Sequence, residues 1–151
     1  MPRDIGIDEL GDFLEKTAEA TIRPECEDVM KNVLDLTKEQ LFLGFQSGTS
    51  PGGAKWPALK RPRPPHRNQN NKPLLDTYKL QKSVTEEGAE DHLESITDQG
   101  LNLGTYVEYA GTHQFGRGAI PARPFLGFSE TVQDLATDDV ASSVIKQIDN
   151  L

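Results

Sequence analysis

Apolar residues recur at helical spacing near both ends of the chain. Two such stripes precede residue 45, and Pro24, which suits the first turn of a helix, separates them. Near the other end, Ser129 is a typical N-cap residue, and a third stripe follows it. The pattern predicts a helical N-terminal third, as a helical hairpin or as one helix kinked near Pro24, and a final helix beginning at Ser129. The stripes consist of Leu10, Phe13, Leu14, Thr17 and Thr21, of Val29, Met30, Val33, Thr37 and Leu41, and of Val132, Leu135, Ala136, Val140, Val144, Ile148 and Leu151.

Between these helices the pattern changes to short segments of alternating polar and apolar residues. Such segments are typical of strands, and the turn-like sequence Asp98-Gln99-Gly100 suits a hairpin between two of them. A short helix is predicted between Pro73 and Leu80. The predicted strands are Ser83–Glu87, Leu93–Thr97, Leu101–Val107 and Phe125–Ser129. Residues 1–151 are thus expected to form a single α+β domain, in which helices pack on one face of a small antiparallel sheet of about four strands.

Residues 46–73 interrupt both patterns with a long, basic, proline-rich loop. Six prolines exclude a regular helix or a central strand from this stretch. Trp56 and Leu59 are its large apolar residues, and we expect them to anchor its first part to the body of the domain. Loops of this length are usually functional or disordered, so the remainder, residues 60–72, is expected to be mobile.

The amino-acid composition indicates which kinds of site and which cellular environment suit this protein. Only 35% of the 151 residues are hydrophobic, so part of the chain is expected to lie outside the core or to complete its burial against partner subunits. The single cysteine, Cys26, excludes an intramolecular disulfide and a cysteine-rich metal site. The sequence has no apolar run long enough to span a bilayer, and its N-terminus lacks the apolar core of a signal peptide. We therefore expect a soluble protein that is not exported and has no membrane partner.

The net charge of −8 is distributed unevenly along the chain. Residues 51–80 carry seven basic and one acidic residue, whereas residues 1–50 carry five basic and eleven acidic ones, and residues 81–116 carry one and seven. An acidic body with one basic segment suits self-assembly or the docking of an acidic partner. It does not suit general binding to duplex DNA, which requires broad neutralisation of phosphates.

The segment between Tyr109 and Ser129 combines aromatic rings, glycines and prolines more densely than the rest of the chain. Its sequence is Tyr-Ala-Gly-Thr-His-Gln-Phe-Gly and, after a short spacer, Ile-Pro-Ala-Arg-Pro-Phe-Leu-Gly. Glycine permits backbone angles that other residues adopt only at a cost, and proline restricts both itself and the residue before it. Packing alone rarely needs this combination, so the segment is a candidate functional site. Its candidate residues, together with Trp56, are Tyr109, His113, Phe115, Gly116, Arg123, Pro124 and Phe125.

The sequence gives only weak support for a catalytic site, a metal site or a phosphate-binding site. His113 lacks a second clustered histidine and a nucleophile motif, so we expect its ring to hydrogen-bond to the backbone and fix the loop through Gly116. The separations of His66, His92 and His113 match no usual set of metal ligands. The segment Gly48–Lys55 lacks the spacing of a phosphate-binding loop. We therefore predict no catalytic, metal or cofactor site.

Two basic features leave alternatives open. Arg123 lies beside prolines that hold its backbone extended, so its guanidinium suits a bidentate pair with a carboxylate across an interface, or a surface salt bridge within the chain. The basic stretch Lys60–Arg67 has no interleaved aromatic residues that would stack on bases. It suits an arm that contacts an acidic neighbouring subunit, and the alternatives are a solvated loop or a transient contact with DNA.

The two motifs around His113 and Arg123 resemble the signature of phage virion morphogenesis proteins, the tail-completion proteins of Mu-like and P2-like contractile-tailed phages. Two upstream pieces, Gly52–Leu59 and Lys72–Val84, agree with that family. The family usually has a glycine where this chain has Tyr78. The resemblance covers roughly residues 45–130, and it rests on this signature and the two upstream pieces together.

The resemblance implies a non-enzymatic structural protein of phage virion assembly, from a phage or a prophage. Proteins of this kind are small α+β units that form rings, often hexamers, so the implied partners are other copies of the chain, the tail tube and the head–tail connector. The implied locations are the host cytoplasm during assembly and the tail or neck of the virion. The alternative is a nucleic-acid-binding accessory protein that uses residues 55–72, and transient passage of DNA is compatible with either role.

Overall fold

The computed structural model describes residue 15, residues 27–97 and residues 100–150. The elements in these ranges are, in chain order, helices α1 (Glu27–Ser47) and α2 (Lys79–Thr85), strands β1 (His92–Thr97) and β2 (Gly100–Thr105), and helices α3 (Ala110–Phe115) and α4 (Glu130–Asp149). The predicted helix over residues 10–21, the boundary at Pro24 and the turn at Asp98-Gln99 lie outside the described residues. No helix in the described ranges combines the length and the apolar character that a membrane span requires.

Helix α1 forms because its apolar residues repeat every three or four positions and so share one face. That face is buried and consists of Val33, Leu34, Thr37, Leu41 and Phe45. Val29 and Met30, which the sequence pattern assigns to the same stripe, are partly exposed near the start of the helix. The helix ends at Ser47 because Gly48 adopts a left-handed conformation with φ 72°, which costs glycine little.

The α+β class is confirmed for the described residues, but their sheet has two strands instead of the predicted four. Strands β1 and β2 pair antiparallel, as the sequence predicts for a hairpin. His92 lies opposite Thr105 at the open end, and Thr97 lies opposite Gly100 at the turn. The hairpin packs against α1 and α2, so the helices do cover this small sheet.

The other two predicted strands are wrong. The segment Ser83–Glu87 begins inside α2, because Leu80, Ser83 and Val84 follow helical spacing and share one buried face. The β-branched residues of this segment favour a strand locally, and burial of the helical face overrides that preference. Residues Phe125–Ser129 pair with no strand in the described part of the chain.

Helix α2 begins at Lys79, which is later than predicted. Leu74 and Tyr78 each adopt φ 62°, a left-handed conformation that interrupts a right-handed helix. Tyr78 stands where the family signature usually has a glycine, and its backbone nevertheless takes the conformation that glycine favours. Its Oη accepts a hydrogen bond from Asn70 Nδ2 at 3.2 Å, and this contact helps to hold the residue in place.

Three aromatic rings from distant parts of the chain form the centre of the core. The Phe45 ring meets the Trp56 ring edge to face, with centroids 5.5 Å apart, and lies 5.8 Å from the Phe125 ring. All three side chains are buried, and such pairs stabilise beyond their buried area. The predicted anchoring by Trp56 is therefore confirmed. The core also contains Leu41, Leu75, Leu80, Val84, Val107 and Ala110.

Helix α4 follows Ser129, whose Oγ accepts a hydrogen bond from Val132 N at 3.2 Å, which confirms the predicted N-cap. The helix packs on α1. Of its apolar residues only Val132 is fully buried, whereas Leu135 and Ile145 are 42% and 59% exposed. Helix α4 therefore keeps a partly apolar outer face.

Candidate functional site

The candidate segment folds back over the first part of the proline-rich loop. We call the two together, residues 56–58 and 109–128, the clasp. Its first turn is α3, a six-residue helix that the sequence pattern does not predict. His113 O accepts a hydrogen bond from Arg123 N at 2.7 Å, which joins the two halves of the segment. Because successive residues of a helix point about 100° apart, the side chains of α3 face different surroundings.

Gly116 ends α3 at a position where no side chain fits. Its φ is 76°, and an added Cβ would lie 2.8 Å from Ala122 N and 3.1 Å from Ile120 O. Both neighbours are backbone atoms, which cannot rotate away as a side chain would. In the turn that follows, Arg117 and Ile120 exchange two backbone hydrogen bonds of 3.0 Å. The path of the clasp through this turn therefore depends on glycine at 116.

The side chain of Gln114 takes the place of a partner strand for Phe125 and Leu126. Its Oε1 accepts hydrogen bonds from Phe125 N at 3.0 Å and Leu126 N at 3.1 Å, and its Nε2 donates to Leu126 O at 2.9 Å. Partly buried backbone groups are costly when unpaired, so this amide stabilises an extended segment without a sheet. Gln114 is not among the candidate residues that the sequence indicates. The sequence does contain a signal for this role, because the amide of Gln114 in the motif carries both a donor and an acceptor.

Trp56 fixes the loop side of the clasp. Its Nε1 donates a hydrogen bond to Pro124 O at 2.8 Å, and its backbone N donates to Gly48 O at 2.8 Å. Pro124 thus contributes its carbonyl, although the residue as a whole is exposed. Three candidate residues, Trp56, Pro124 and Phe125, are brought together here, and these contacts are internal to the chain.

Arg123 is buried and binds the loop backbone. Its Nε donates to Pro57 O at 2.7 Å and its Nη2 donates to Ala58 O at 2.9 Å. Only 6% of the residue is exposed, and this burial lowers the pKa of the guanidinium from its ordinary value. Both interpretations from sequence, a carboxylate across an interface and a surface salt bridge, place this side chain at the surface. In the structure its fork instead joins the two parts of the clasp.

His113 contributes to the clasp through its backbone rather than through its ring. The ring lies edge to face against Tyr109, with centroids 5.8 Å apart, and its buried Nδ1 has no hydrogen-bond partner among the described residues. The expected bond from the ring to the backbone is therefore wrong for Nδ1. Burial, and then the nearby charge of Arg123, lower the pKa of the His113 imidazole below its ordinary value. The ring is accordingly neutral in the folded protein near pH 7.

The outer face of the clasp carries exposed rings. Phe115 is 80% exposed, although it follows Gln114 directly on α3. Tyr109 and Ile120 are also exposed apolar residues of the clasp. The candidate residues thus divide into a buried group that closes the clasp and an exposed group, Tyr109 and Phe115, that is available to another molecule.

Several basic residues of the proline-rich loop bind the loop itself. Arg63 Nη1 donates to Asn70 Oδ1 at 2.7 Å and to Asn68 O at 3.3 Å. Arg67 Nη1 donates to Asp76 Oδ2 at 2.6 Å. Burial tends to raise the pKa of the Asp76 carboxyl, but the hydrogen bonds from Arg67 and Asn68 and the charge of Arg63 outweigh it and lower that pKa. These contacts organise residues 63–76 into a structured loop.

A partly open cavity of about 500 Å³ lies between this loop and the clasp. Its volume is within the range typical of ligand pockets, roughly 300–1,000 Å³. Its charged lining consists of Arg63, Arg67, Lys79, Arg123 and Asp76, and its aliphatic lining consists of Leu59, Leu74 and Leu80. Tyr109 and His113 complete one wall. The cavity therefore combines aliphatic side chains with an excess of positively charged ones.

The three histidines are not assembled into one site. His66 is exposed in the loop, whereas His92 Nε2 lies 2.7 Å from Glu94 Oε2 in β1. Lys38 Nζ also binds Glu94 Oε2, at 3.1 Å, which ties α1 to the hairpin. Burial raises the pKa of Glu94, but His92 and Lys38 together bring it below its ordinary value. Within the described ranges, no three His, Cys, Asp or Glu side chains lie close enough together to hold a metal ion.

Comparison with known proteins identifies one family. The family model described as the phage virion morphogenesis family matches residues 7–144, which is all but the first six and the last seven residues. Neither the curated proteins nor the solved structures contained a match to the chain. The matched range includes the clasp, the proline-rich loop, the cavity and most of α4.

Proposed function

Because the chain belongs to the phage virion morphogenesis family, we propose that it is a non-enzymatic structural protein that completes or terminates a phage tail. In this proposal it helps to join the tail to the head connector and acts as a ring of identical copies, with six as the expected number. The observation that carries the proposal is the extent of the family match, residues 7–144, because a match to nearly the whole chain leaves little room for an unrelated domain.

Exposed apolar side chains support a role in binding other proteins. Solvent-exposed apolar residues mark interaction surfaces when they are large and clustered. Phe115 and Ile120 are both exposed on the clasp, and the backbone of Ile120 lies beside Gly116, the residue after Phe115. In the described part of the chain, the large exposed apolar residues are Phe42, Leu43, Tyr106, Tyr109, Phe115, Ile120, Phe128, Leu135 and Ile145.

The chemistry of the clasp supports a non-enzymatic role. The guanidinium of Arg123 and the indole N–H of Trp56 are bound to backbone carbonyls. The buried Nδ1 of His113 contacts no hydroxyl or carboxylate that it could activate among the described residues. A protein nucleophile is activated by a base that lies within hydrogen-bond reach of it.

The alternative, binding of nucleic acid by residues 55–72, depends on the basic residues that the loop leaves exposed, such as Arg61 and Arg67. Arg63 donates to groups of its own loop, and Lys60 Nζ donates to Ala119 O at 2.7 Å. Phosphate contacts need cations that face outward. DNA binding measured at increasing salt concentration tests this alternative. A steep loss of binding with added salt would support it, and the absence of binding at low salt would exclude it.

The proposed function is tested by deleting the coding sequence from its phage or prophage and supplying the chain in trans. We expect deletion to abolish infectious particles, and electron microscopy to show heads and tails that remain separate. Expression of the wild-type chain should restore joined particles. Joined, infectious particles in the deletion strain would exclude the proposed role.

Ring formation is tested separately, by light scattering over a concentration series of the purified protein. A discrete species near six times the 16.7 kDa mass of one copy supports a hexameric ring. If the protein is strictly monomeric, a role in the tail is still compatible with the result, because the tail or the connector can template assembly. Such a result also increases the weight of the nucleic-acid alternative.

A further inference from the structure

The basic cavity stands out in an acidic protein. Among the described residues, its lining contains four cationic side chains and one carboxylate, Asp76, whereas the whole chain carries a net charge of −8. One of these cations, Lys79, is paired with Asp91 at 2.9 Å, which leaves Arg63, Arg67 and Arg123 beside Asp76. Charges of one sign that line a concave surface with apolar walls concentrate their field and attract ligands of the opposite sign. The cavity is therefore suited to a group with negative charge.

The cavity also retains unused donors. Arg67 binds Asp76 through a single nitrogen, and its side chain is 52% exposed, so its other N–H groups remain available. Leu59, Leu74 and Leu80 supply apolar contact beside these polar groups. The matching ligand carries carboxylates next to an aliphatic side chain.

Such a combination occurs on the outer face of α4. The helix contains five acidic residues and one basic residue, and Val132 is its only fully buried residue. Asp134, Leu135 and Asp138 are all exposed. Residues separated by three or four positions are neighbours on a helix surface, so Asp138 lies next to both Asp134 and Leu135.

We infer that the basic cavity of one copy binds the Asp134–Leu135–Asp138 face of α4 from a second copy of this chain. This inference rests on the self-assembly in the proposed function and names the surfaces that meet. The lining residues come from residues 59–80 and 109–123, so the cavity and α4 are separate surfaces of one copy. Contact between two different surfaces is heterologous, and repeating it produces a closed ring or an open filament.

Charge reversal on either side tests the contact. We expect Arg67→Glu and Asp138→Arg each to weaken self-association about 100-fold, measured by sedimentation equilibrium, because like charges then face each other. The matched controls are Arg61→Glu, an exposed residue of the same loop outside the cavity, and Asp149→Arg at the far end of α4. Neither control should change self-association by more than about threefold.

Mixing the two variants gives a stronger test. In an equimolar mixture, the cavity of the Arg67→Glu chain can bind the α4 helix of the Asp138→Arg chain with opposite charges again facing each other, and every remaining contact is of wild-type type. We therefore expect mixed rings with nearly wild-type association, although each variant alone is dissociated. Arg67→Glu also removes the ion pair to Asp76, so thermal unfolding is measured for both variants. Among the described residues, Asp138 forms no ion pair that Asp138→Arg would break.

Three results would overturn the inference. They are a wild-type chain that stays monomeric throughout the series, variants that associate like wild type, and variants whose mixture does not associate. If Arg67→Glu instead abolishes binding to a DNA duplex and leaves self-association unchanged, the cavity is a phosphate site and the inference is wrong. None of these results bears on whether the deletion strain makes joined particles, so the inference and the proposed function can fail separately.

Discussion

The clasp and α4 use their polar residues in opposite ways. In the clasp, the side chains of Trp56, Gln114 and Arg123 donate to or accept from backbone groups of the same chain. In α4, carboxylates and apolar side chains lie together on an outer face, and one residue, Val132, is fully buried. The segment richest in chemically distinctive residues thus uses these polar side chains to fix its own backbone. Helix α4, by contrast, keeps a partly apolar outer face.

The same division exists within the clasp itself. Phe115 and Phe125 are ten residues apart, and they are 80% and 2% exposed. Phe125 completes the aromatic core, whereas Phe115 extends from the end of α3. Substitutions in the buried part should therefore reduce stability first, and substitutions on the exposed surfaces should reduce assembly first.

The largest expected effect is that of Gly116→Ala. The new Cβ would meet Ala122 N at 2.8 Å, in addition to the cost of placing alanine at φ 76°. We expect the free energy of unfolding to fall by about 4 kcal/mol, which is exceptional for a single methyl group. Urea denaturation monitored by tryptophan fluorescence measures it, because Trp56 lies in the clasp.

Gly118→Ala is the matched control. Gly118 also has a positive φ, of 57°, but nothing lies within 4 Å of its added Cβ among the described residues. Only the conformational cost applies, so we expect a loss of about 1–2 kcal/mol. Equal losses for the two alanine variants would show that steric contact at position 116 is not what demands glycine.

The next largest effect is that of Arg123→Ala. This change removes two charge-assisted hydrogen bonds and leaves Pro57 O and Ala58 O without their partner. We expect a loss of about 3 kcal/mol in the free energy of unfolding. Arg117→Ala, at an exposed position of the same segment, should change stability by less than about 0.5 kcal/mol.

Self-association decides whether Arg123 has a second role. If Arg123→Ala keeps wild-type stability and loses only assembly, the guanidinium acts at an interface, as the sequence first suggests. Arg123→Lys sharpens the test, because it keeps the charge but cannot donate to both carbonyls in the same way. We expect it to restore only part of the lost stability.

Sequence reasoning locates the long elements of the fold better than the short ones. Helices α1 and α4 carry extended apolar stripes with clear ends at Gly48 and Ser129, so several residues agree on each assignment. The short helices α2 and α3 have seven and six residues, which is too few for periodicity to outweigh local strand preference. The extended segment after Pro124 is predicted as a strand, because the pattern does not reveal that Gln114 replaces its partner.

The candidate site shows a similar limit. Its residues could be identified from their types, but their orientation could not, because orientation follows from contacts that are distant in sequence. Arg123 binds carbonyls 65 and 66 positions away, and no local pattern contains that information. The basic cavity likewise depends on Lys79 and Arg67 meeting Tyr109 and His113.

A smaller effect is expected for the pH dependence of stability, through His113. Burial and the charge of Arg123 lower the pKa of its imidazole below the ordinary 6.5, so the folded protein keeps the ring neutral. As the pH falls below 6.5, the unfolded chain binds a proton first, and this favours unfolding. We expect wild-type stability to decline over this range, and His113→Gln to decline less steeply, as measured by denaturation at each pH.

The carboxylates act at lower pH and therefore do not obscure the effect of His113. The pKa of Glu94 is lowered from 4.5 and that of Asp76 from 3.8, so their stabilisation is present above those values and is lost as the pH falls through them. The comparison of slopes is therefore made between pH 6.5 and 4.5. Parallel curves for wild type and His113→Gln in that window would rule out the imidazole as the source of the decline.

The smallest effect on stability is expected for Leu135→Gln. This substitution tests whether the outer face of α4 serves assembly rather than stability. Leu135 is 42% exposed, so its loss should change the free energy of unfolding by only about 0.5 kcal/mol. Val132→Ala, one turn earlier on the buried side of α4, should cost about 2 kcal/mol and leave self-association intact, provided that the helix still folds. If Leu135→Gln weakens self-association while Val132→Ala does not, stability and assembly depend on different residues of one helix. If the two variants reduce stability equally, α4 is a core element, and its outer face is not the surface that joins copies of the chain.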